Sequence, residues 1–170
     1  GVRRISFQKR PRCSSSVNAR LRGVVSTLAV RRGAFGCSVL EAEPDDREAV
    51  RRHLRAHRPE AFVCGNDAAA IALKQTLESL GRRVPDDLLL AGFDDVRLAT
   101  IVSPQLTTVH QPCEQIGATA FDRLRARIAN PALAPLQIAL PIELVVRGST
   151  ARVKPRTNPK TNKNQRKGKD

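Results

Sequence analysis

Apolar residues recur along this chain with two spacings, one typical of helices and the other of strands. In residues 16–30 the apolar side chains fall on one helical face, and Gly33 follows where such a helix would end. Compact apolar runs elsewhere fit strands, and the run LLLAGF is apolar enough for a strand buried on both faces. These runs cover residues 2–7, 36–40, 61–65 and 88–93.

Helical segments separate the apolar runs, so strand and helix alternate along the first half of the chain. Small polar residues that cap helices precede each segment: one of Ser14, Ser15 and Ser16, then Asp45 or Asp46, then Asn66 and Asp67. The second helix ends near His57, and Gly81 closes the third. This order predicts an α/β fold with three layers, a parallel sheet flanked by helices on both sides.

The pattern changes after Asp95. SPQLTTVHQP is bounded by proline and predicts an extended segment, and residues 112–129 predict another helix. LPIELVVRG predicts a last strand, in which Ile142, Leu144 and Val146 alternate with their neighbours. Residues 151–170 have almost nothing to bury, so we expect a disordered basic tail.

The loops that follow the predicted strands are rich in hydrogen-bonding groups. In open parallel sheets the ligand crevice lies beyond the carboxyl ends of the strands. The predicted order places four loops there: RPRCSSS, EAEPDD, GND and the second half of GFDD. The sequence therefore predicts a binding site for a small polar molecule.

The net charge of +14 is unevenly distributed. Residues 1–40 hold nine basic and no acidic residues, residues 41–150 thirteen and fifteen, and residues 151–170 eight and one. Because the middle is nearly neutral, the charge does not predict a nucleic-acid-binding core. The tail could bind phosphate non-specifically at low salt, or it could serve only as a solubilising end.

Catalytic, metal and membrane signatures are not apparent. The four cysteines form no CxxC unit, and His53 and His57, four residues apart, fit solvated side chains on one helix. We find no nucleophile–base pair and no phosphate loop, so neither an enzyme nor a cofactor is expected. No apolar run approaches the roughly 20 residues of a membrane span, and GVRRISFQKR contains no signal-peptide core, so we expect a cytoplasmic protein.

Several motifs together resemble one family. AFVCGNDAAAIALKQTLESLGRRVPDDLLLAGFDD, then SPQLTTVHQP, is similar to the sensor domain of the LacI/GalR transcription regulators, including the purine repressor. The opening RRISF with its Ser-rich loop, the helix QIGATAFDRLRARI and the strand LPIELVVRGST also match. The resemblance covers residues 1 to about 150.

The resemblance implies the fold of one lobe of a periplasmic-binding-protein-like (type I) sensor domain over residues 1–150. Residues 108–135 would cross toward a first lobe, which is missing here together with the helix-turn-helix head that reads operator DNA. The family also implies a homodimer and a small effector, either a sugar, a sugar derivative or a purine. A transport-type solute-binding protein shares the fold and is the alternative.

The resemblance assigns ligand binding to five residues: Asp94, Asn66, Arg20, Ser16 and Ser14. Carboxylate, amide and guanidinium groups provide the acceptors and donors that a hydroxylated ligand needs. Each has a purely structural alternative, because Asp94 or Asn66 could cap the segment that follows and the others could be a solvated helix start. Arg22 competes with Arg20 if the alignment shifts by two residues.

Two positions depart from the family pattern. Ala42 stands where several members have an aromatic residue that stacks on the ligand, and alanine offers no stacking face. Arg10 replaces a small residue in the first loop, which makes an anionic effector more plausible.

Overall fold

The computed structural model describes residues 2–31, 33 and 35–151. The helices and strands, in chain order, are β1 (Arg4–Lys9), α1 (Ser15–Val30), β2 (Gly36–Glu41), α2 (Arg47–His57), β3 (Ala61–Cys64), α3 (Asp67–Ser79), β4 (Leu89–Ala91), α4 (Leu98–Ile101), β5 (Thr108–His110), α5 (Cys113–Ala129) and β6 (Glu143–Val145). A 3-10 turn, Gly148–Thr150, follows β6. Within this part of the chain, no helix is both long and apolar enough to cross a membrane.

Four strands form a parallel sheet in the order β2-β1-β3-β4. Two isolated parallel bridges, Ala91 to Thr107 and Asp94 to His110, place β5 beside β4, and β5 pairs in antiparallel fashion with β6. Along the chain, β2 is added on one side of β1, and β3 and β4 are added on the other side. Because crossover connections are right-handed, this change of direction puts α1 on one face of the sheet and α2 and α3 on the other. The predicted α/β class, with a parallel sheet between helical layers, is confirmed.

The main core lies between the sheet and α2 and α3. Phe62 and Leu90 point to this side from β3 and β4, and Leu73 and Leu77 meet them from α3, all four almost fully buried. Burial of a large apolar side chain contributes about 1.5–3 kcal/mol, so these four side chains stabilise the fold substantially. The face is set by the two-residue period of the strands.

The opposite face of the sheet is covered less completely. None of the residues of α1 is buried, and its side chains border an open apolar groove of about 630 Å³ above β1, β3 and β4. The last strand lies across this groove, but Ile142, Leu144 and Val146 stay at least 60 % exposed. The predicted last strand is thus found at the end of this part of the chain, paired with β5, and its apolar side is exposed.

The helix ends follow the predicted caps with one exception. The Asp46 carboxylate accepts hydrogen bonds from the backbone N–H groups of Glu48 and Ala49 at the start of α2, and Gly81 closes α3 with a φ of 73°. At the start of α1, Ser14 occupies the cap position, but its hydroxyl bonds the Ser16 hydroxyl instead of a helix N–H. A serine therefore occupies the predicted cap position, but its side chain does not form the capping hydrogen bond.

The interpretation of His53 as a solvated side chain is wrong. His53 is only 7 % exposed, and its Nε2 lies 2.8 Å from the Ser6 hydroxyl and 3.3 Å from the Ser38 hydroxyl. Burial, together with the His57 ring 4.5 Å away, lowers the pKa of His53 from 6.5 to about 4. Sequence spacing missed it because its partners come from β1 and β2, which are distant in the sequence.

The segment after β4 contains an element that the pattern did not predict. Residues Leu98–Ile101 form the short helix α4. The sequence pattern predicted an extended segment from residue 103 onward and no element directly before it. Helix α5 starts at Cys113 and its apolar side is exposed, with Phe121, Leu124 and Ile128 all more than half accessible. The predicted disordered tail, residues 151–170, lies outside the described residues except for Ala151.

Candidate functional site

The polar loops meet at the carboxyl ends of the strands. Residues 10–14 follow β1, residues 65–66 follow β3 and residues 92–95 follow β4, while Gln111 follows β5. Parallel strands bring these four corners to one edge of the sheet. Helix α1, which starts there, adds Arg20 from its second turn.

Arg20 is held by three contacts. Its Nη1 donates a 2.6 Å hydrogen bond to the Gly65 carbonyl, and its Nη2 lies 3.6 Å from Asp94 Oδ1. The guanidinium carbon also stacks 3.7 Å above the centre of the Phe93 ring, within the range of a cation–π contact. This arrangement holds the guanidinium, with its remaining N–H groups, at the strand edge.

Asp94 faces Arg20 across the edge of the sheet. Gln111 Nε2 donates a 2.7 Å hydrogen bond to its Oδ1, and the side chain is 31 % exposed. Within the described part of the chain, Oδ2 accepts no hydrogen bond, so this oxygen is available to a ligand. The backbone of Asp94 has a φ of 115°, a strained conformation of the kind that clusters at functional sites.

Asn66 both caps α3 and faces the crevice. Its Oδ1 accepts a 2.9 Å hydrogen bond from the Ala69 N–H, which leaves the amide NH₂ without a partner in residues 2–31, 33 and 35–151. Asn66 and Ser14 line a cavity of about 270 Å³ whose wall includes the fully buried Gln8. Gln8 Oε1 is the one buried side-chain oxygen in the described residues that lacks a hydrogen bond.

Asp67 ties the corners of the site together. Its carboxylate accepts hydrogen bonds from the Thr108 hydroxyl at 2.6 Å and the Val96 N–H at 3.0 Å, and its own N–H bonds the Phe93 carbonyl. Burial raises the pKa of this carboxyl group, and these hydrogen bonds only partly offset it. Gly92 packs so closely on this carboxylate that a Cβ would clash with it.

Asp95, the second aspartate of GFDD, has a structural environment. Its carboxylate lies 2.6 Å from Arg147 Nη2 and 3.0 Å from His110 Nδ1. Burial raises the pKa of Asp95, but the hydrogen bonds from Arg147 and His110 outweigh it and hold the pKa below its usual value. This ion pair anchors the segment that follows β6 to the loop that follows β4.

Comparison with known proteins identifies the family to which this chain belongs. Residues 1–150 match the periplasmic binding protein-like domain. The chain belongs to the periplasmic binding protein-like domain family. Its resemblance to the sensor domain of LacI/GalR-type regulators is confirmed by the relatives described next.

Two curated relatives are each 41 % identical to this chain over the residues that align. One is the ribose operon repressor of Escherichia coli strain K12, aligned over 100 residues that make up 58 % of this chain and 30 % of the repressor. The other is the HTH-type transcriptional repressor PurR of Escherichia coli O1:K1, aligned over 97 residues, 57 % of this chain and 28 % of PurR. The sensor domain thus spans less than a third of the length of these repressors.

Solved structures agree in fold. The LacI family transcriptional regulator from Enterococcus faecium, with bound ribose, superposes with a TM-score of 0.78 at 26 % identity, covering 91 % of this chain and 58 % of that one. A LacI family regulator from Arthrobacter sp. FB24 in complex with lactose gives a TM-score of 0.71 at 27 % identity, covering 88 % and 59 %.

The sensor domain brings most of the predicted ligand residues together. Arg20 contacts Asp94 directly, and it bonds the carbonyl of the residue before Asn66. Ser14 lies in the adjoining cavity, whereas Ser16 contacts only Ser14 among the described residues. Arg22 is exposed on α1 and joins none of these contacts, so of the two arginines it is Arg20 that lies at the strand edge.

The two departures from the family pattern have distinct environments. Ala42 is buried, with 8 % of its surface exposed, and its carbonyl accepts a hydrogen bond from Gln8. Arg10 pairs with Glu43 at 3.2 Å, which offsets part of the positive charge that it brings to the crevice. An anionic effector gains less from Arg10 than the sequence suggested.

Sequence reasoning missed three side chains at this edge. Gln111 bonds Asp94, Phe93 supports Arg20, and Gln8 presents an unpaired oxygen near Asn66. Gln111 and Phe93 both lie inside the motifs that carried the resemblance, so the signal was present. Gln8 could be found only from the structure, because a polar residue within a strand carries no sign of an unmet hydrogen bond.

Proposed function

We propose that this chain is the ligand-sensing lobe of a LacI-type transcription regulator and binds a small hydroxylated effector in the crevice at the strand edge. A sugar or sugar derivative is the preferred effector, and a purine is the alternative. The ribose and lactose bound to two structural neighbours support the first choice, and the similarity to PurR supports the second.

The convergence of unlike polar groups at one edge is the observation that carries the proposal. Asp94 offers a free carboxylate oxygen, Asn66 a free amide NH₂, and Arg20 the N–H groups not used by Gly65 and Asp94. Vicinal hydroxyl groups both donate and accept, so they can satisfy all three side chains at once. Because Arg20 already compensates Asp94, a neutral ligand leaves this ion pair balanced.

The effector is expected to use the crevice only when the first lobe closes it from the other side. The exposed apolar side of α5 supports an attachment surface for that lobe, and residues 108–135 are proposed to reach toward it. Effector binding would favour one arrangement of the lobes and so alter the affinity of a helix-turn-helix head for operator DNA. We further propose a homodimer, supported by the exposed apolar residues Val96, Leu98 and Ile101 around α4.

Transport-type solute binding is the competing function. The relatives described above are repressors and regulators, which favours regulation in the cytoplasm. Neither catalysis nor a cofactor is part of the proposal, and in the described residues no group of three or more His, Cys, Asp or Glu side chains could hold a metal ion. Operator binding that responds to the effector would separate the regulator from a transport protein.

The proposal is tested by ligand-induced thermal stabilisation of the full-length protein that carries this chain. Ligand at about 100 times its Kd adds about 2.7 kcal/mol to the unfolding free energy, which corresponds to a Tm increase of roughly 5 to 10 °C. Ribose, lactose and a purine base are compared. We expect one of these classes to raise the Tm, and Asp94→Ala and Asn66→Ala each to abolish the increase.

The matched control is Asp86→Ala, which removes an exposed carboxylate that precedes β4, at the end of the sheet opposite to the strand edge. This variant keeps the full ligand-induced increase. An increase that survives in both Asp94→Ala and Asn66→Ala would show that the effector binds elsewhere. Asn66→Ala also removes a helix cap, so its Tm without ligand falls, and the comparison is made on the difference caused by ligand.

A further inference from the structure

A second cavity, of about 580 Å³, lies at the end of the sheet opposite to the ligand crevice. It is bounded by the ends of α2 and α3 and by the segments that lead into β3 and β4. Four arginines and a single carboxylate line it: Arg51, Arg55, Arg58, Arg82 and Asp87. Its volume is within the range of small-molecule sites.

Three of the four arginines form no direct ion pair in the described part of the chain. Arg51 pairs with Glu48 at 2.8 Å, and the Arg83 guanidinium is shared by Asp86 at 3.5 Å and Asp87 at 3.6 Å. In the described part of the chain, the guanidinium groups of the other three arginines form no hydrogen bond and no ion pair. These three are Arg55, Arg58 and Arg82.

Arginines often serve only to offset the negative end of a helix, and two helices end at this cavity. Each helix end carries about half a negative charge, so the two together balance about one guanidinium. The last carbonyls are also bonded by the backbone: Leu54 accepts from the Arg58 N–H, and Leu77 accepts from the Arg82 N–H. Arg83 is shared by Asp86 and Asp87, so these two carboxylates leave about one further negative charge beside the cavity. About one positive charge therefore remains in excess.

The backbone at Arg58 adds a second observation. Arg58 follows α2 with a φ of 45°, in the left-handed conformation that glycine adopts most easily at this position. A long cationic side chain here carries a conformational cost that glycine would not. Below the arginines, the side chains of Leu54 and Leu88 form an apolar floor.

We propose that this arginine pocket binds a small anion with at least two linked phosphate groups. Guanidinium groups bind phosphate oxygens in a forked geometry, and three of them without carboxylate partners match a di- or triphosphate chain better than a single phosphate. The apolar floor leaves space for an organic group attached to that chain. The site is separate from the effector crevice, so it does not depend on the proposed function.

Isothermal titration calorimetry in about 150 mM salt tests the site with inorganic tripolyphosphate, inorganic phosphate and ATP. We expect saturable binding of tripolyphosphate and much weaker binding of phosphate. Tighter binding of ATP than of tripolyphosphate would identify an organic triphosphate that uses the floor. Equal binding would identify the phosphate chain alone as the ligand.

The decisive comparison is between two double variants that remove the same charge. Arg55→Gln with Arg58→Gln weakens tripolyphosphate binding by about 10-fold or more, because charged hydrogen bonds are lost. Arg125→Gln with Arg127→Gln, on the exposed side of α5, changes it by less than about twofold. Both variants retain residues 152–170, so any contribution of that basic segment cancels.

All four substituted residues are exposed, so both variants are expected to fold, and thermal unfolding verifies this. Equal weakening in the two variants would assign the binding to general electrostatic attraction and overturn the proposal. So would the absence of saturation at roughly 10 mM tripolyphosphate.

Discussion

Acidification should destabilise this domain through His53. The ring is buried against Ser6, Ser38 and Phe62, and among the described residues His57, on the same helix, is the one titratable neighbour that shifts its pKa. The folded state therefore keeps the ring neutral down to a pKa of about 4, whereas the unfolded chain takes up a proton near 6.5. Between these values the unfolded state binds more protons, so the unfolding free energy falls as the pH falls.

The size of the effect follows from the two pKa values. The interval from 6.5 to about 4 corresponds to a loss of about 3 kcal/mol when it is crossed completely. The contribution is fully present above pH 6.5, declines through the interval, and reaches its limit below pH 4. A loss of this size is a large fraction of the roughly 5–15 kcal/mol by which domains are stable.

Urea unfolding followed by circular dichroism, at pH values from roughly 4 to 7.5, measures this slope. Carboxylates titrate in the same interval, and Asp67 contributes with the opposite sign because its pKa is raised. The difference between the parent and His53→Gln isolates the histidine, since glutamine can bond both serine hydroxyls without titrating. His57→Gln is the control and keeps most of the slope, because burial is the larger cause of the low pKa.

A parent and a His53→Gln variant with identical pH slopes would refute this reasoning. It would mean that the ring is solvated or charged in the folded domain. The serine pair would then bond a protonated imidazole, and the core between α2 and the sheet would be more polar than described.

Two further predictions concern the residues that hold the strand edge together. Gly92→Ala places a methyl group against the Asp67 carboxylate and should destabilise the domain by about 2 kcal/mol or more. Its control, Gly23→Ala, adds a methyl group in open space on α1 and should stabilise the domain by up to about 1 kcal/mol. Urea unfolding at neutral pH compares the two variants, and equal effects on the unfolding free energy would contradict the close packing at Gly92. Arg147→Met removes the partner of the half-buried Asp95 and should lower the unfolding free energy by about 2–4 kcal/mol above pH 4. The loss should shrink as the pH falls below 4, because a carboxylate whose folded pKa is lowered stabilises the fold only where it is ionised. The control is Arg97→Met at an exposed position, and similar losses in the two variants would argue against the ion pair.

The sequence predicted the fold well wherever local chemistry determines it. Helix α5 was expected over residues 112–129 and is found at Cys113–Ala129, and Asp46 and Gly81 act at the predicted helix ends. Periodicity could not reveal α4, because four residues make about one turn. The exposed apolar side of β6 was equally unpredictable, since strand alternation identifies a face but not what covers it.

The candidate site was predicted in its residue types more than in its connections. Asp94, Asn66 and Arg20 could be named from the motifs, but their partners depend on which strand ends meet. Gln111 reaches Asp94 across 17 positions in the sequence, and Arg20 reaches Gly65 across 45. His53 was misread for the same reason, because its burial depends on two strands that the helix pattern does not describe.

The fixed position of Arg20 has a consequence for recognition. A free arginine side chain loses up to about 2 kcal/mol of rotamer entropy when a ligand orders it. Here the Gly65 carbonyl, Asp94 and the Phe93 ring have already ordered the guanidinium during folding. An effector that binds here, as proposed, would meet a side chain that is already ordered and would lose little affinity to ordering it, so discrimination between epimers would come from the positions of single hydroxyl groups.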